Sequence, residues 1–351
     1  MGKNEVDRRE MDKKKIDKKE TDKKDTDKKE TGKKQKKRIL ITGAGSYIGQ
    51  SVEAWLGQYP GQYQVDTLDM EDENWKKARF ELYDAVFHVA GIAHSDTGRI
   101  SEEKRRQYYQ VNTKLTLETA RRAKAAGVRQ FLFMSSMIVY EGAVSKSCRQ
   151  VCGRGQTGKA VRGISKATKP KAANCYGDSK LQAEKGLQKL AGKEFKVVIL
   201  RPPMIYGKGC KGNYPRLAKL AAKSPVFPQT KNRRSMLYID NLCELVRLLI
   251  DREEMGIVCP QNKEYVDTSE LVRLIAEAKG HKIWLVPFTG GILKLVSMFP
   301  WKIGALFTKI AGDFYYEQEL SEYEGGEYRV CTWKESVYVC EQSCFHIENG
   351  T

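Results

Sequence analysis

The sequence predicts an α/β fold, a doubly wound parallel sheet with a smaller C-terminal substrate-binding lobe. Three observations favour this fold class. Short apolar runs alternate with helical stretches over the first two hundred residues, and a glycine-rich turn follows the first apolar run. In addition, 40% of the 351 residues are apolar, which is enough to form a large core. Strands that alternate with helices in this way form parallel sheets covered on both faces.

The individual elements follow from the same alternation. Strands are expected at residues 38–42, 64–68, 84–90, 130–135 and 196–200. Helices are expected between them at residues 47–56, 102–126 and 176–190. Beyond residue 203 prolines punctuate the pattern, and helices are expected at 214–222, 241–251 and 268–279. This second part is predicted to pack over the carboxyl edge of the sheet.

The predicted domain organisation has four parts. They are a Lys/Asp-rich tail at 1–37, a part that is mainly the sheet domain at 38–202, a part that is mainly the substrate-binding lobe at 203–335, and a C-terminal tail at 336–351. Residues 1–38 hold 17 Lys and Arg against 10 Asp and Glu, with Asp-Lys-Lys repeated every five residues from Asp12. This segment has too few apolar side chains to offset the entropy cost of ordering, and it is therefore predicted to be a disordered solubilising tail. No nucleic-acid partner is predicted. The rest of the formal charge of +18 suits a substrate that carries phosphates.

Cysteine usage and hydropathy predict the compartment. The nine cysteines are scattered and no signal peptide opens the sequence, which indicates reduced thiols and a cytoplasmic protein. Cys340, Cys344 and His346 lack a second ligand pair, so no metal site is predicted. Lysines and a proline interrupt the apolar run at 290–311, which is therefore expected to pack on the protein body rather than contact a membrane.

The first chemical motif is Thr42-Gly43-Ala44-Gly45-Ser46-Tyr47-Ile48-Gly49, between a predicted strand and a predicted helix. Glycines in such a turn let the backbone approach a pyrophosphate, whose charge then faces the helix N-terminus. Asp69 ends the next strand, twenty residues after Gly49, where a carboxylate can accept hydrogen bonds from the adenosine ribose. A carboxylate there would repel a 2′-phosphate, so the motif predicts NAD rather than NADP.

The second chemical motif is Tyr176-Gly177-Asp178-Ser179-Lys180 at a helix start. A tyrosine and a lysine four residues apart lie on one helical face. A nearby ammonium stabilises the phenolate and lowers the tyrosine pKa towards working pH. Such a pair alone is more often a solvated helix face, but the glycine-rich turn and the strand ending in Ser135-Ser136 make the combination specific.

The order of these and other motifs along the chain is itself informative. They are residues 42–49, 88–91, 112, 135–140, 176–180 and 200–203. This ordered set resembles the extended short-chain dehydrogenases, and more narrowly the NAD-dependent epimerase/dehydratase family with its UDP-glucose 4-epimerase-like members. The resemblance covers about residues 37–335 and implies a Rossmann-type sheet.

The resemblance also implies roles for individual residues. Ser136 would hydrogen-bond the sugar hydroxyl, Tyr176 would transfer the proton, and Lys180 would hold the nicotinamide ribose. Asn112 would support the architecture beside the sheet. The cofactor-binding residues would be Gly43, Gly45, Ser46, Tyr47, Ile48, Gly49, Asp69, Ala90, Gly91, Asn112, Tyr176 and Lys180.

Substrate contacts are implied by the block at residues 232–241, which resembles a family motif. Arg234 matches the arginine that contacts the nucleotide-sugar pyrophosphate, and a guanidinium suits phosphate oxygens. Asn213 is a weaker substrate-binding candidate. The sequence departs from the family pattern with Ser46 at the middle glycine, Met204 for a substrate-binding Asn, and Glu141 for a Gly. A basic stretch at 142–174, with eight Lys or Arg and no acid, is either a solvated loop or an attractor for phosphates.

The expected function is therefore a nucleotide-sugar 4-epimerase acting on UDP-glucose or UDP-N-acetylglucosamine by transient oxidation at C4, in surface polysaccharide biosynthesis. The alternative is an NAD(P)H-dependent reductase of a UDP-4-keto-6-deoxy sugar. A dehydratase is less favoured because Met137-Ile138 follow Ser136. A non-catalytic dinucleotide sensor is disfavoured by retention of Ser136, Tyr176 and Lys180. A homodimer is expected through the helices at 102–126 and 176–190.

Overall fold

A six-stranded sheet forms the centre of the structure, a computed structural model that describes residues 36–92, 100–144, 163–287 and 312–342. The strands that the structure describes are β1 (Lys37–Thr42), β2 (Tyr63–Leu68), β3 (Ala85–His88), β4 (Gln130–Met134), β5 (Gly163–Ile164), β6 (Lys196–Leu200), β7 (Met204–Tyr206), β8 (Val226–Pro228), β9 (Met236–Tyr238), β10 (Gly256–Val258), β11 (Trp284–Val286) and β12 (Tyr315–Tyr316). The strand order in the central sheet is β10-β6-β4-β3-β1-β2. The pairings of β3 with β1 and β4, and of β6 with β4 and β10, are parallel. The predicted fold class is confirmed.

Helices connect and cover these strands. They are α1 (Tyr47–Gly57), α2 (Glu102–Tyr108), α3 (Thr116–Ala125), α4 (Cys175–Leu190), α5 (Asn213–Lys223), α6 (Ile239–Asp251), α7 (Thr268–Ala278) and α8 (Trp333–Glu341). In the part of the chain that the structure describes, no helix combines the length and the apolar character needed to cross a bilayer.

Successive side chains of a strand point to opposite faces, and the inner strands β1, β3, β4 and β6 are buried along most of their length, so both faces of the sheet are covered. Ile39, Ile41 and Phe87 belong to the core on one side. Leu40 and Val86 belong to the core on the other side. Each such side chain contributes about 1.5–3 kcal/mol by leaving water. These continuous apolar runs are what made the strands recognisable in the sequence.

The register aligns the carboxyl ends of the central strands. Thr42 lies opposite His88, His88 opposite Phe133, and Met134 opposite Leu200. The segments that follow these strands therefore meet at one edge of the sheet. Because β1 lies between β2 and β3, the chain crosses in opposite directions on the two sides of β1, and such a switch point opens a crevice for ligands.

The helix predicted at 102–126 is interrupted by a wider turn. Between α2 and α3, Tyr109–Leu115 forms a π-helix. Two of its residues make hydrogen bonds across to α4: Asn112 Nδ2 donates to Ser179 Oγ at 3.1 Å, and Thr113 Oγ1 donates to the Ser179 carbonyl at 2.7 Å. Short π segments of this kind occur often at functional sites.

Two elements differ from the sequence-based expectations. The strand β10 lies beyond residue 203, in the part predicted to be mainly the substrate-binding lobe, yet it pairs with β6 in the central sheet. The helix α8 runs across residue 336, the predicted start of the C-terminal tail, and continues to Glu341. This helix has a capping box between Thr332 and Glu335, and Trp333 and Val337 are buried. The division into two domains at residue 202 stays a prediction.

Several predictions fall outside the described residues. They concern the tail at 1–37 apart from its last two residues, the apolar run at 290–311, residues 145–162 of the basic stretch, and the pair Cys344 and His346. Within that basic stretch, β5 is described and pairs with β12.

Candidate active site

The glycine-rich turn joins β1 to α1 and requires a residue without a side chain at Gly43. Gly43 has φ +87°, and a Cβ there would lie 2.8 Å from the Ala90 backbone nitrogen. Ser46, the departure from the family pattern, is the N-cap of α1, and its Oγ accepts a hydrogen bond from the Gly49 N–H at 3.1 Å. The first-turn amides of Tyr47 and Ile48 have no partner within the helix and suit an anion.

A cleft of about 420 Å³ opens beside this turn. Its lining combines residues from both chemical motifs. Among them are Ser46, Tyr47, Gly91, Ser136, Tyr176 and Lys180. The structure thus brings all three predicted catalytic residues and part of the predicted cofactor set to one cleft.

Tyr176 and Ser136 share a hydrogen bond in the cleft wall. Tyr176 lies in the first turn of α4, which begins after Asn174, whose Oδ1 accepts from the Gly177 N–H at 2.9 Å. Burial raises the pKa of Tyr176 to about 12, and the hydrogen bond from Ser136 opposes this rise. The phenol is therefore protonated near neutral pH unless positive charge close by stabilises the phenolate.

Lys180 lies one helical turn further along α4 and is 5% exposed. Its Nζ donates to the Met134 carbonyl at 2.8 Å, which ties α4 to the end of β4. Burial lowers the pKa of Lys180 to about 8. A Cβ at Gly91 would lie 3.0 Å from this Nζ, so glycine leaves room for the ammonium.

Asn112 lies behind the cleft, fully buried in the π-helix. Its Oδ1 accepts from the Ile92 N–H at 2.9 Å and its Nδ2 donates to the Ile92 carbonyl at 3.2 Å. The side chain therefore fixes the segment after β3 against α4, which agrees with the supporting role that the resemblance implies.

Other predicted site residues lie away from the cleft lining. Asp69 is exposed after β2, and its Oδ1 accepts from the Glu71 N–H at 2.9 Å. Arg234 is half-buried and donates from Nη1 to the Gly312 carbonyl at 3.0 Å. Asn213 is the first residue of α5. Their binding roles stay predictions, as do those of Gly43, Gly45, Gly49 and Ala90.

Sequence reasoning missed a buried ion pair next to the cleft. Arg201 Nη2 lies 2.5 Å from Glu184 Oε2, and the two side chains are 5% and 1% exposed. Arg201 appeared only as part of a motif, and Glu184 was not singled out. One feature of the sequence could have indicated Glu184: it lies four residues after Lys180, on the same face of a predicted helix.

Metal-ligating residues do not converge in the described ranges: no group of three His, Cys, Asp or Glu side chains there could hold a metal ion. The six cysteines that the structure describes are Cys175, Cys210, Cys243, Cys259, Cys331 and Cys340, and none of them forms a disulfide.

Known proteins with similar sequences identify the family of this chain. The profile of the NAD dependent epimerase/dehydratase family matches residues 39–258. A UDP-glucose 4-epimerase from Vibrio cholerae is 32% identical over 214 residues, which are 58% of this chain and 59% of that protein. The match thus spans about three fifths of that relative. An N-acetyl-α-D-glucosaminyl-diphospho-ditrans,octacis-undecaprenol 4-epimerase from Escherichia coli O157:H7 is 24% identical over 263 residues, 69% of this chain and 71% of that one.

Solved structures show the same fold. A dTDP-4-dehydrorhamnose reductase from Bacillus anthracis in complex with NADP superposes with a TM-score of 0.63 at 17% identity, over 87% of this chain and 99% of that one. A UDP-glucuronic acid 4-epimerase from Bacillus cereus in complex with NAD gives 0.62 at 15% identity, over 87% and 97%. The predicted family and the predicted cofactor, NAD, are confirmed. The turn geometry fits this cofactor, because Gly43 and the free first-turn amides allow close approach of a pyrophosphate.

Proposed function

Because this chain belongs to the NAD-dependent epimerase/dehydratase family, we propose that it is a nucleotide-sugar 4-epimerase, acting on a UDP-hexose of the glucose or N-acetylglucosamine type. The observation that carries the proposal is the hydrogen bond between Tyr176 and Ser136 in a cleft that Lys180 also lines. The name of the Vibrio cholerae relative supports the choice of substrate.

In this proposal the residues of the cleft move one proton reversibly. NAD, when bound, supplies the hydride acceptor and donor. Ser136 hydrogen-bonds the C4 hydroxyl and passes its proton to the Tyr176 phenolate. Burial raises the pKa of Tyr176, and the hydrogen bond with Ser136 opposes that rise. We assign to the Lys180 ammonium, one helical turn further along α4, the role of stabilising the phenolate by its charge. Tyr176 later returns the proton to the same oxygen.

Epimerisation also requires that the 4-keto sugar present both faces in turn. The substrate must then be held mainly by its nucleotide, with few fixed contacts to the sugar. Arg234 and Asn213 are the residues we propose for that end. Lys211, which precedes Asn213 and lines the cleft, adds positive charge beside it.

Proton NMR of UDP-glucose and of UDP-N-acetylglucosamine, each incubated with purified protein and a trace of NAD⁺, tests the proposal. We expect the galacto epimer to appear with at least one of the two sugars. Unchanged sugars in the presence of folded protein would contradict the proposal. The same protein would then be assayed with NADH and a UDP-4-keto-6-deoxy sugar, where consumption of NADH identifies the reductase alternative.

A further inference from the structure

A carboxylate and a guanidinium are buried together behind the proposed catalytic residues. Two hydrogen bonds join them: Arg201 Nη2 donates to Glu184 Oε2 at 2.5 Å, and Arg201 Nε donates to Glu184 Oε1 at 3.1 Å. This two-point contact has the geometry that an arginine and a carboxylate form best. Such an ion pair is costly to bury, so its location calls for an explanation beyond stability.

The pair is held by hydrogen bonds to three other residues, one of which, Ser135, lines the cleft. Ser135 Oγ, at the end of β4, donates to Glu184 Oε1. Arg201 Nη1 donates to the Tyr140 hydroxyl at 2.5 Å, and the Tyr316 hydroxyl donates to the Arg201 carbonyl at 2.8 Å. Glu184 is therefore fixed in one orientation, directly behind the segment that carries Ser136.

Glu184 also lies one helical turn from Lys180, on the buried face of α4. Burial lowers the pKa of Lys180, and the charge of Glu184 opposes this effect. Titratable and charged groups lie around this part of α4 on the elements packed against it. They are His88 of β3, Tyr108 of α2, Tyr109 of the π-helix, Tyr140 after β4, Arg201 after β6, and Tyr176 and Asp178 of α4 itself.

Arg201 carries a positive charge and is paired with Glu184, whereas Asp178 accepts a hydrogen bond from the Tyr109 hydroxyl at 2.7 Å. Burial lowers the pKa of His88 to about 3 and raises the pKa of Tyr140 to about 12, so both are neutral. The negative charge that acts on Lys180 is that of Glu184, and Arg201 holds this carboxylate in place.

We propose that Glu184 is a positioning residue for Lys180, and that its carboxylate, fixed by Arg201 and Ser135, keeps the Lys180 ammonium charged in the cleft. The proposal rests on the proposed function only in that Lys180 then serves the epimerase reaction. Its structural content, the dependence of the Lys180 charge on Glu184, can be measured without any substrate.

The direction of the effect follows from the charges. A lysine whose pKa lies near 8 in the folded protein loses its proton as the pH rises through that value. Without the Glu184 carboxylate, the ammonium loses a stabilising partner, and deprotonation occurs at lower pH. A nearby opposite charge commonly shifts a pKa by about one unit or more, so a shift of about one pH unit is expected.

The test is an NMR titration of the full-length protein labelled with ¹³C at the lysine side chains, with the Lys180 resonance assigned by its absence in Lys180→Arg. Glu184→Gln alone would leave Arg201 buried without a partner and endanger folding. The variant of choice is therefore the double change Glu184→Gln with Arg201→Gln. Glu184→Asp is the matched control, because it retains the charge on a shorter side chain.

We expect Lys180 to titrate about one pH unit lower in the double variant and close to the wild-type value in Glu184→Asp. Equal titration in the double variant and the wild type would overturn the proposal, as would a shift in Glu184→Asp as large as that in the double variant. If epimerase activity is found, the alkaline limb of its pH profile should move with the NMR value. Absence of epimerase activity would count against the proposed function, while the NMR result would still decide the role of Glu184.

Discussion

His88 Nδ1 lies 2.7 Å from Thr42 Oγ1, which joins the carboxyl ends of β3 and β1 directly before the glycine-rich turn. On the other side of the ring, Nε2 lies 3.0 Å from Thr116 Oγ1 in α3. The imidazole is fully buried, and the rings of Phe131 and Phe133 stack against it. This neutral histidine thus links the turn to the helix that continues from Asn112.

Stability should depend on pH through His88. Burial lowers its pKa in the folded protein to about 3, well below the usual value of about 6.5. Between these values the unfolded chain binds a proton that the folded protein does not, so stability falls as the pH falls from about 6.5 towards 3. The slope from this group is about 1.4 kcal/mol per pH unit. The free energy of unfolding, measured with urea at pH 5 and pH 7, should differ less between the two pH values in His88→Gln than in the wild type. An equal difference in the two proteins would contradict the role of His88 in this pH dependence.

Removing the Tyr176 hydroxyl should stop the reaction and spare the cofactor site. Tyr176→Phe is expected to lower kcat by about 10²–10⁴-fold because it removes the hydroxyl that we propose as the proton-transfer group. NAD affinity, measured by calorimetry, should stay near the wild-type value. Tyr338→Phe, on α8 and outside the cleft lining, is the control and should keep full activity. Wild-type rates in Tyr176→Phe would disprove the mechanism.

The turn at Gly43 should not tolerate a side chain. Gly43→Ala places a Cβ 2.8 Å from backbone at Ala90, at φ +87°, so it combines a clash with strain of about 1–2 kcal/mol. We expect NAD affinity to fall by at least about tenfold, because the displaced loop loses its approach to the pyrophosphate. The control is Gly57→Ala at the end of α1, where a Cβ meets nothing within 4 Å. Equal affinity in the two variants would show that the turn does not contact the cofactor.

Arg234 and its neighbour allow a test of substrate anchoring. Arg234→Gln should raise KM for the UDP-sugar by about tenfold, which corresponds to the loss of one charge-assisted contact worth about 1.4 kcal/mol, and should change kcat little. Arg233 is the matched control, because its guanidinium lies 4.4 Å from the Tyr315 ring. If Arg233→Gln raises KM as much as Arg234→Gln does, the effect is a general loss of positive charge and not a specific contact.

The parts of the structure that local patterns determine could be predicted. Continuous apolar runs predicted the central strands. The spacing of Tyr176 and Lys180 indicated two catalytic candidates and the family resemblance implied a third, Ser136, and all three lie in one cleft. The π-helix around Asn112 could not be predicted, because it depends on hydrogen bonds to Ser179, 67 residues away in the chain.

The same reason explains the other omissions. Three-residue β10 has a weak local pattern, and it pairs with β6 only because the folded chain brings Val258 next to Leu200. The partnership of Glu184 with Arg201 joins a helix to the residue after a strand, and neither residue alone signals the other. A contact between two distant residues produces no recognisable pattern in either sequence segment, whereas a helix or a strand produces a periodic pattern of apolar residues.

The position of β10 has a consequence for how the chain is made. Until residues 256–258 have been synthesised, β6 is the last strand on its side of the sheet, and its backbone groups lie open to pairing with another chain. A fragment that stops at residue 202 would keep this exposed edge permanently and should aggregate. The edge of the sheet is therefore covered late, by a strand more than fifty residues beyond its partner β6. Dilution or chaperones should reduce aggregation most during the interval before β10 pairs.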